Sequence, residues 1–131
     1  MQIDADEMRR FITAIFVAAG CTADESDRIA ENLVDASLRG HDSHGVIRVP
    51  RYVHWLQTGN LNAGRDVSVV TDSGALLVVD GHHGFGQTVG PQAVRLGMDR
   101  ADEHGVCVVG LRNAGHLGRI GRFAEMAAER G

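Results

Sequence analysis

The chain has 131 residues, with 13 arginines, no lysine and 17 acidic residues, and a formal net charge of −4. Its length fits one domain of about 100 to 150 residues, and its 44% hydrophobic and 23% charged content excludes intrinsic disorder. No apolar run approaches the roughly 18 residues of a membrane span, and the arginines are scattered, so we expect neither a membrane nor a nucleic-acid partner.

Three amphipathic helices are predicted in the first part of the chain. Apolar residues recur at helical spacing over residues 5–19. Thr22 followed by Glu25 is typical of a capping box and begins a second helix. In the third helix Pro50 is tolerable only near the first turn, and the apolar face is formed by Val49, Tyr52, Val53 and Leu56. Residues 1–58 are therefore predicted to form an N-terminal helical subdomain.

The remaining residues, 59–131, are predicted to form an α/β part, which makes the fold class mixed α/β (α+β). Two β-rich runs joined by an Asp-Ser-Gly turn indicate a hairpin, and helix and strand patterns then alternate. The predicted elements are strands near 67–70, 75–79 and 106–111, and helices near 88–104 and 120–130. The last strand is continuously apolar, which is typical of a strand buried on both faces. Because so few strands are available to cover it, we expect this part to be incomplete at its C-terminus.

Two cysteines, Cys21 and Cys107, lie far apart and have no metal-site spacing. We expect both to be buried free thiols, and we expect no metal. Because no signal-peptide pattern is found at residues 1–4, the predicted location is the cytoplasm.

The densest group of proton-transfer side chains is the loop His41-Asp42-Ser43-His44. Arg48 follows His44 by four residues and shares its face if a helix begins near residue 44. A guanidinium that grips a carboxylate beside an imidazole that delivers a proton is what reduction of a 2-oxo acid requires. Two alternatives stay open here: a capped turn with solvated side chains, and a metal site that lacks a third ligand at defined spacing.

A glycine-rich turn, Gly84-Phe85-Gly86-Gln87-Thr88-Val89-Gly90, lies between a strand and a helix. It is one residue away from the dinucleotide-binding spacing, and no acidic residue ends the next strand, although Arg112 could meet a 2′-phosphate. We therefore favour close packing of strand and helix over a Rossmann domain. His82 and His83, just before it, are predicted to be exposed turn residues.

A second candidate group, Arg112-Asn113-Ala114-Gly115-His116, lies at the carboxyl end of the apolar strand, the edge where α/β proteins bind ligands. The small residues before His116 would let its imidazole approach a substrate closely. A structural turn histidine is the alternative.

Three ordered motifs together resemble the malate/L-lactate dehydrogenase family, which is separate from the classical lactate and malate dehydrogenases. They are Asp42-Ser43-His44-Gly45-Val46 with Arg48 and Tyr52, Gly84-Phe85-Gly86-Gln87, and Arg112-Asn113-Ala114-Gly115-His116-Leu117-Gly118. The resemblance covers nearly the whole chain. It implies a helical part followed by part of a non-Rossmann mixed-sheet dehydrogenase fold, and interconversion of 2-hydroxy and 2-oxo acids, such as malate or L-lactate, with NAD or NADP.

The resemblance also implies roles for single residues. His44 and His116 fall on the family's catalytic histidines, while Ser43, Arg48 and Asn113 fall at substrate-binding positions. It further implies a homodimer, and cofactor contacts that lie mostly beyond residue 131. Two alternatives remain: an imino-acid reductase of the same family, and a truncated, non-catalytic helical module for interaction or dimerisation.

Overall fold

The protein is described by a computed structural model over residues 3–131, which contain five helices and one three-stranded sheet. In chain order the elements are α1 (Ala5–Ala18), α2 (Ala23–Leu38), α3 (Val49–Gln57), β1 (Ser68–Asp72), β2 (Leu76–Gly84), α4 (Gly86–His104), β3 (Val108–Ala114) and α5 (Gly121–Arg130). The predicted mixed class is confirmed, with every predicted helix and strand present near its expected place. Within these residues, no helix combines the length and apolar character needed to cross a membrane.

The helix N-termini follow local sequence rules, with one correction. The Asp4 carboxylate accepts hydrogen bonds from the first-turn backbone of α1, and Thr22 Oγ1 accepts one from Glu25 N at 3.3 Å. The predicted capping box is only half formed, because the Glu25 carboxylate is buried and turned elsewhere. It accepts hydrogen bonds from Gly64 N at 2.8 Å and Thr88 Oγ1 at 3.2 Å. Glu25 therefore ties α2 to the chain before β1 and to α4.

The sheet combines a hairpin with a parallel crossover. β1 and β2 pair antiparallel, as the predicted turn requires, while β2 and β3 pair parallel in the order β1-β2-β3. The chain passes between β2 and β3 through α4, because parallel strands need a long connection. β2 extends to Gly84, five residues beyond the predicted strand. His82 and His83 therefore lie on a strand, with positive φ angles, and they are exposed as predicted.

The prediction that the third strand is buried on both faces is wrong for the described residues. β3 pairs only with β2 and forms one edge of the sheet. Its Val109 packs against Gly97 of α4, whereas Val108 and the preceding Val106 are about 60% exposed. Cys107 is likewise only partly buried, while Cys21 is buried as predicted. One face of the strand is covered by α4 and the other is open.

The hydrophobic core joins the helices to the start of α4. Phe16 of α1 contacts Phe85 edge-on, with ring centroids 5.7 Å apart, and Tyr52 of α3 contacts both rings. Leu61 completes this core from the segment that follows α3. The boundary between residues 58 and 59 remains a prediction, and core contacts cross it. Met1 and Gln2, which the predicted subdomain includes, lie outside the described residues.

A buried arginine connects α2 to α5. Arg119 is 8% exposed, and its guanidinium binds Asp35 at 2.9 Å and Glu125 at 2.8 Å. Both carboxyls have lowered pKa values; in Glu125 the main cause is the hydrogen bond from Arg119, and in Asp35 hydrogen bonds from Arg39 and Arg119 outweigh the opposing effect of burial. These ion pairs hold α5 against α2, just beyond the loop that carries His116.

Candidate active site

His44 lies on the first of two single 3₁₀ turns, Asp42–His44 and Val46–Arg48, which precede α3. The third helix, α3, begins at Val49 with Pro50 in its first turn, as predicted, so the condition that His44 and Arg48 share one face of a helix is not met. Gly45 sits against Ser37, whose hydroxyl accepts a hydrogen bond from Val46 N at 3.1 Å. A side chain at position 45 would collide with Ser37. Glycine therefore lets the turn that carries His44 pack directly on α2.

His116 is positioned by the glycine-rich turn. Gly115 N donates a hydrogen bond to Gly84 O at 2.8 Å. A Cβ atom on Gly86 would collide with the His116 carbonyl and lie 2.6 Å from Leu117 Cα. The glycines are therefore required for close packing of the His116 loop on the first turn of α4, as the packing interpretation predicts.

The two predicted catalytic histidines lie side by side, although 72 positions separate them in the sequence. The centroids of the His44 and His116 rings are 5.1 Å apart, and the ring planes are inclined by 31°. Burial, together with the charges of Arg48 and His44, lowers the pKa of His116 below its ordinary value. His116 is therefore biased towards the neutral imidazole.

Ser43 and Arg48 lie beside this pair. Ser43 Oγ is 2.8 Å from His44 Nδ1, and Arg48 Nε donates a hydrogen bond to the Ser43 carbonyl at 2.5 Å. Within residues 3–131, the two terminal nitrogens of the Arg48 guanidinium make no hydrogen bond or ion pair. Arg48 thus presents the fork of donors that binds a carboxylate in two-point contact.

A buried hydrogen-bond chain stands behind His116, and sequence reasoning missed its role. Tyr52 is 1% exposed, and its hydroxyl lies 2.7 Å from His116 Nδ1. Gln87 Nε2 donates to the same hydroxyl at 3.1 Å, and Gly118 N donates to Nδ1 at 3.3 Å. We assigned Tyr52 to the apolar face of the third helix. Its spacing of four residues from Arg48 was the available signal that both side chains face one site.

The side chain of Asn113, the remaining predicted substrate-binding residue, is paired with Asp80. Its side-chain amide donates to Asp80 Oδ2 at 2.9 Å, and Arg112 Nε donates to the same oxygen at 2.8 Å. With a further hydrogen bond from His82 N as the main cause, the pKa of Asp80 is lowered to about 2. Ser43, His44, Arg48 and His116 are thus brought together, while the Asn113 amide is held by this carboxylate. Its substrate-binding role stays a prediction.

The glycine-rich turn does not fit a nucleotide pyrophosphate. A phosphate at a helix N-terminus needs open backbone N–H groups, but Gly86, Gln87 and Thr88 are buried beneath the His116 loop. Arg112, which the sequence offers as a partner for a 2′-phosphate, is already paired with Asp80. These residues therefore do not form a Rossmann-type cofactor site.

Among residues 3–131, no group of three His, Cys, Asp or Glu side chains could hold a metal ion.

A large open cleft of about 970 Å³ lies elsewhere, between α2, α4 and α5. Its walls include the charged side chains Asp35, Arg119 and Glu125, whereas neither His44 nor His116 lines it. The two predicted catalytic histidines therefore lie outside this cleft.

Comparison with known proteins gives one consistent family. The sequence profile described as malate/L-lactate dehydrogenase matches residues 3–131. Hydroxycarboxylate dehydrogenase B from Escherichia coli K12 is 38% identical over 130 residues, which cover 99% of this chain and 36% of that protein. The structure of malate dehydrogenase from Pyrococcus horikoshii OT3 has a TM-score of 0.92 and 34% identity, over 99% of this chain and 37% of that one.

A further solved structure, Δ1-piperideine-2-carboxylate reductase from Pseudomonas syringae pv. tomato, has a TM-score of 0.85 and 28% identity over 100% of this chain and 40% of that one. The chain thus spans little more than a third of the length of these relatives. The family match, the shared fold and the three motifs lead to one conclusion: this chain belongs to the malate/L-lactate dehydrogenase family.

Proposed function

We propose that this chain supplies the substrate-binding and proton-transfer groups of an oxidoreductase that interconverts small 2-hydroxy and 2-oxo acids, such as malate or L-lactate. The observation that carries the proposal is the His44–His116 pair, 5.1 Å between ring centroids, with Arg48 beside it. Relatives named as hydroxycarboxylate, malate and L-sulfolactate dehydrogenases support this substrate class.

The proposed division of work follows from the chemistry of a 2-oxo acid. Its carboxylate matches the guanidinium of Arg48, whose terminal nitrogens are open and whose Nε is held by the Ser43 carbonyl. Its C2 oxygen becomes an alkoxide during reduction and must gain a proton. His44 and His116 are the groups that can supply that proton or polarise the oxygen. Fixing the carboxylate and the oxygen at two points would orient C2 for reaction.

We propose NAD or NADP as the hydride carrier of the complete enzyme, since the chemistry of a dehydrogenase requires one. The buried glycine-rich turn gives no place for its pyrophosphate, so we assign the nucleotide to residues other than those of this turn.

An imino-acid reductase is the second candidate, because the Δ1-piperideine-2-carboxylate reductase structure shares this fold. A cyclic imino acid carries the same carboxylate next to the reducible carbon, so Arg48 would have the same role. The two candidates differ in whether oxygen or nitrogen faces the histidine pair.

Two features support a cytoplasmic homodimer. Leu76 and Val108, opposite each other on β2 and β3, are 47% and 62% exposed and belong to the open face of the sheet; such apolar surface is typical of protein interfaces. Both cysteines are free thiols, as expected in a reducing compartment. Light scattering of the full-length protein measures its oligomeric state.

Binding of oxamate, an unreactive analogue of a 2-oxo acid, tests the proposed site. Calorimetric titration of the full-length protein with saturating NADH or NADPH should give one oxamate per chain. Arg48→Ala should weaken this binding, and Arg51→Ala, on the exposed surface of α3, should not. Equal affinity in all three proteins would place the substrate elsewhere.

A further inference from the structure

The hydrogen bonds behind His116 fix which of its ring nitrogens carries the proton. Three groups are involved: Gly118 N, the Tyr52 hydroxyl and Gln87 Nε2. A backbone N–H can only donate a hydrogen bond, unlike a hydroxyl or a rotatable amide. The contact of Gly118 N with His116 Nδ1, at 3.3 Å, therefore favours an Nδ1 that accepts and carries no proton of its own.

The direction of the remaining hydrogen bonds follows from this one. If Nδ1 is an acceptor, the Tyr52 hydroxyl 2.7 Å away donates its single hydrogen to it. The Tyr52 oxygen then keeps only acceptor capacity, which Gln87 Nε2 fills at 3.1 Å. The same nitrogen lies 3.5 Å from Asn32 Oδ1, which also needs a donor. The orientation of the Gln87 amide thus agrees with both of its neighbours.

The hydrogen-bond chain from Gln87 through Tyr52 to His116 is buried, so reversing the direction of its hydrogen bonds would cost free energy. Tyr52 is 1% exposed and Gln87 4% exposed, so reversing the chain would leave buried polar atoms without partners, which is costly. Gln87 Oε1 already lacks a partner among the described residues. A reversed amide would instead place Nε2 there and direct two oxygens, from Gln87 and Asn32, at each other.

We infer that Tyr52 and Gln87 are positioning residues that hold His116 as a neutral imidazole with its proton on Nε2. This inference rests on the proposed function for its chemical meaning. In that reaction His116 donates a hydrogen bond from Nε2 to the C2 oxygen of the substrate and polarises it. Giving up its single proton would convert His116 into an imidazolate anion, so it is not the proton source.

The proton source is then His44. As an imidazolium it transfers one proton to the alkoxide oxygen and is left neutral, while His116 keeps its Nε2 proton throughout. The lowered pKa of His116, caused by burial and by the charges of Arg48 and His44, agrees with a neutral ring at this position. The two histidines thus have different tasks: His44 transfers the proton, and His116 holds the oxygen by a hydrogen bond.

Selective [¹⁵N]histidine labelling of the full-length protein, with NMR detection of both ring nitrogens, tests the inference directly. The His116 signals, identified by their loss in His116→Gln, should show a proton on Nε2 and none on Nδ1 near neutral pH. Tyr52→Phe removes the shorter of the two hydrogen bonds that Nδ1 accepts and leaves only the one from Gly118 N at 3.3 Å, so a population with the proton on Nδ1 should appear. Signals identical to wild type in this variant would show that Tyr52 does not hold the tautomer. His54→Gln, at an exposed position of the same helix, should leave the His116 signals unchanged.

A proton on Nδ1 in the wild-type protein would overturn the inference, whether or not the Tyr52 variant folds.

Kinetics gives a second test. His116→Gln, whose amide can replace a hydrogen-bond donor, should keep kcat within about tenfold of wild type, whereas His116→Leu should lose about 10²–10³, as when a single donor to a developing oxyanion is removed. Equal losses in both variants would contradict the hydrogen-bond role. A wild-type enzyme that reduces no 2-oxo acid would refute the proposed function, while the NMR result would still decide the proton's position.

Discussion

The Tyr52 hydroxyl lies 2.7 Å from Nδ1 of His116 and joins two residues 64 positions apart in the sequence. Tyr52 belongs to the buried core and His116 to the loop after β3, so this hydrogen bond links the helical part of the chain to the sheet at the candidate active site. The position of His116 therefore depends on core packing as well as on its own loop, and predictions for the site follow from this coupling.

Replacement of His44 tests its role as proton donor. In the full-length protein, His44→Ala should lower kcat by about 10² to 10⁴ because proton transfer to the substrate oxygen loses its acid. Steady-state reduction of a 2-oxo acid gives the measurement. His41→Ala, at an exposed position of the same loop, is the matched control and should leave kcat unchanged. A loss below tenfold in His44→Ala would remove His44 from this role.

Replacement of Arg48 tests carboxylate binding. A hydrogen bond to a charged group contributes about 1.5–3 kcal/mol, and 1.4 kcal/mol is about tenfold in binding. Arg48→Ala should therefore raise KM for the acid by about 10- to 100-fold. Arg51→Ala removes a guanidinium that lies over the Trp55 ring on the same helix, and its KM should stay at the wild-type value. Similar KM values for the two variants would show that Arg48 does not bind the carboxylate.

A methyl group at the glycine-rich turn tests how the His116 loop is held. In Gly86→Ala the new Cβ meets the backbone of residues 116 and 117, and overpacking of this kind costs about 1–3 kcal/mol. We expect a lower Tm by calorimetry, together with lower kcat. Gly110→Ala has its nearest neighbours at 3.8 Å and should change Tm little. A Gly86→Ala protein with wild-type Tm would mean that the loop moves freely away from α4.

The lowered pKa of His116 predicts a pH dependence of stability. Because the unfolded chain takes up a proton at the ordinary value of 6.5 and the folded ring does so only at lower pH, acid favours unfolding. The contribution of His116 is complete above 6.5 and is lost as the pH falls from there to its folded pKa. Urea unfolding of His116→Gln should show a smaller decline in stability than wild type on acidification through this window. An identical decline in both proteins would contradict a lowered pKa.

Periodicity and capping residues were enough to predict the order and type of the elements. Helices and the hairpin are determined largely by local sequence, and the apolar spacing of α1 or the turn before β2 is visible without any structure. The exposure of β3 was predicted wrongly, because an apolar strand does not itself show whether neighbouring chain covers it. In the same way, the Glu25 carboxylate fits a local capping role but binds residues far along the chain.

The candidate site was predicted as separate motifs, and the contacts between them were not. His44 and His116 were each found from residue type and position in a loop, yet their separation of 5.1 Å arises from long-range packing. Tyr52 lies on the apolar face of α3 and Gln87 in the glycine-rich turn, and although both belong to the family motifs, the sequence indicates no polar role for either. The role of a buried polar group becomes clear only when its hydrogen-bond partner is known. The partners of Tyr52, which are Gln87 and His116, lie 35 and 64 residues from it in the sequence.

The most direct test of the account is a nucleotide-linked assay of the full-length protein against a panel of acids. Oxidation of NADH and of NADPH would be followed with oxaloacetate, pyruvate, sulfopyruvate and a cyclic imino acid, beside Arg48→Ala and His44→Ala. We expect one or more 2-oxo acids to be reduced, with a raised KM in the Arg48 variant and a lowered kcat in the His44 variant. A folded protein that reduces none of these acids with either nucleotide, or one whose activity is unaffected by both substitutions, would contradict the account.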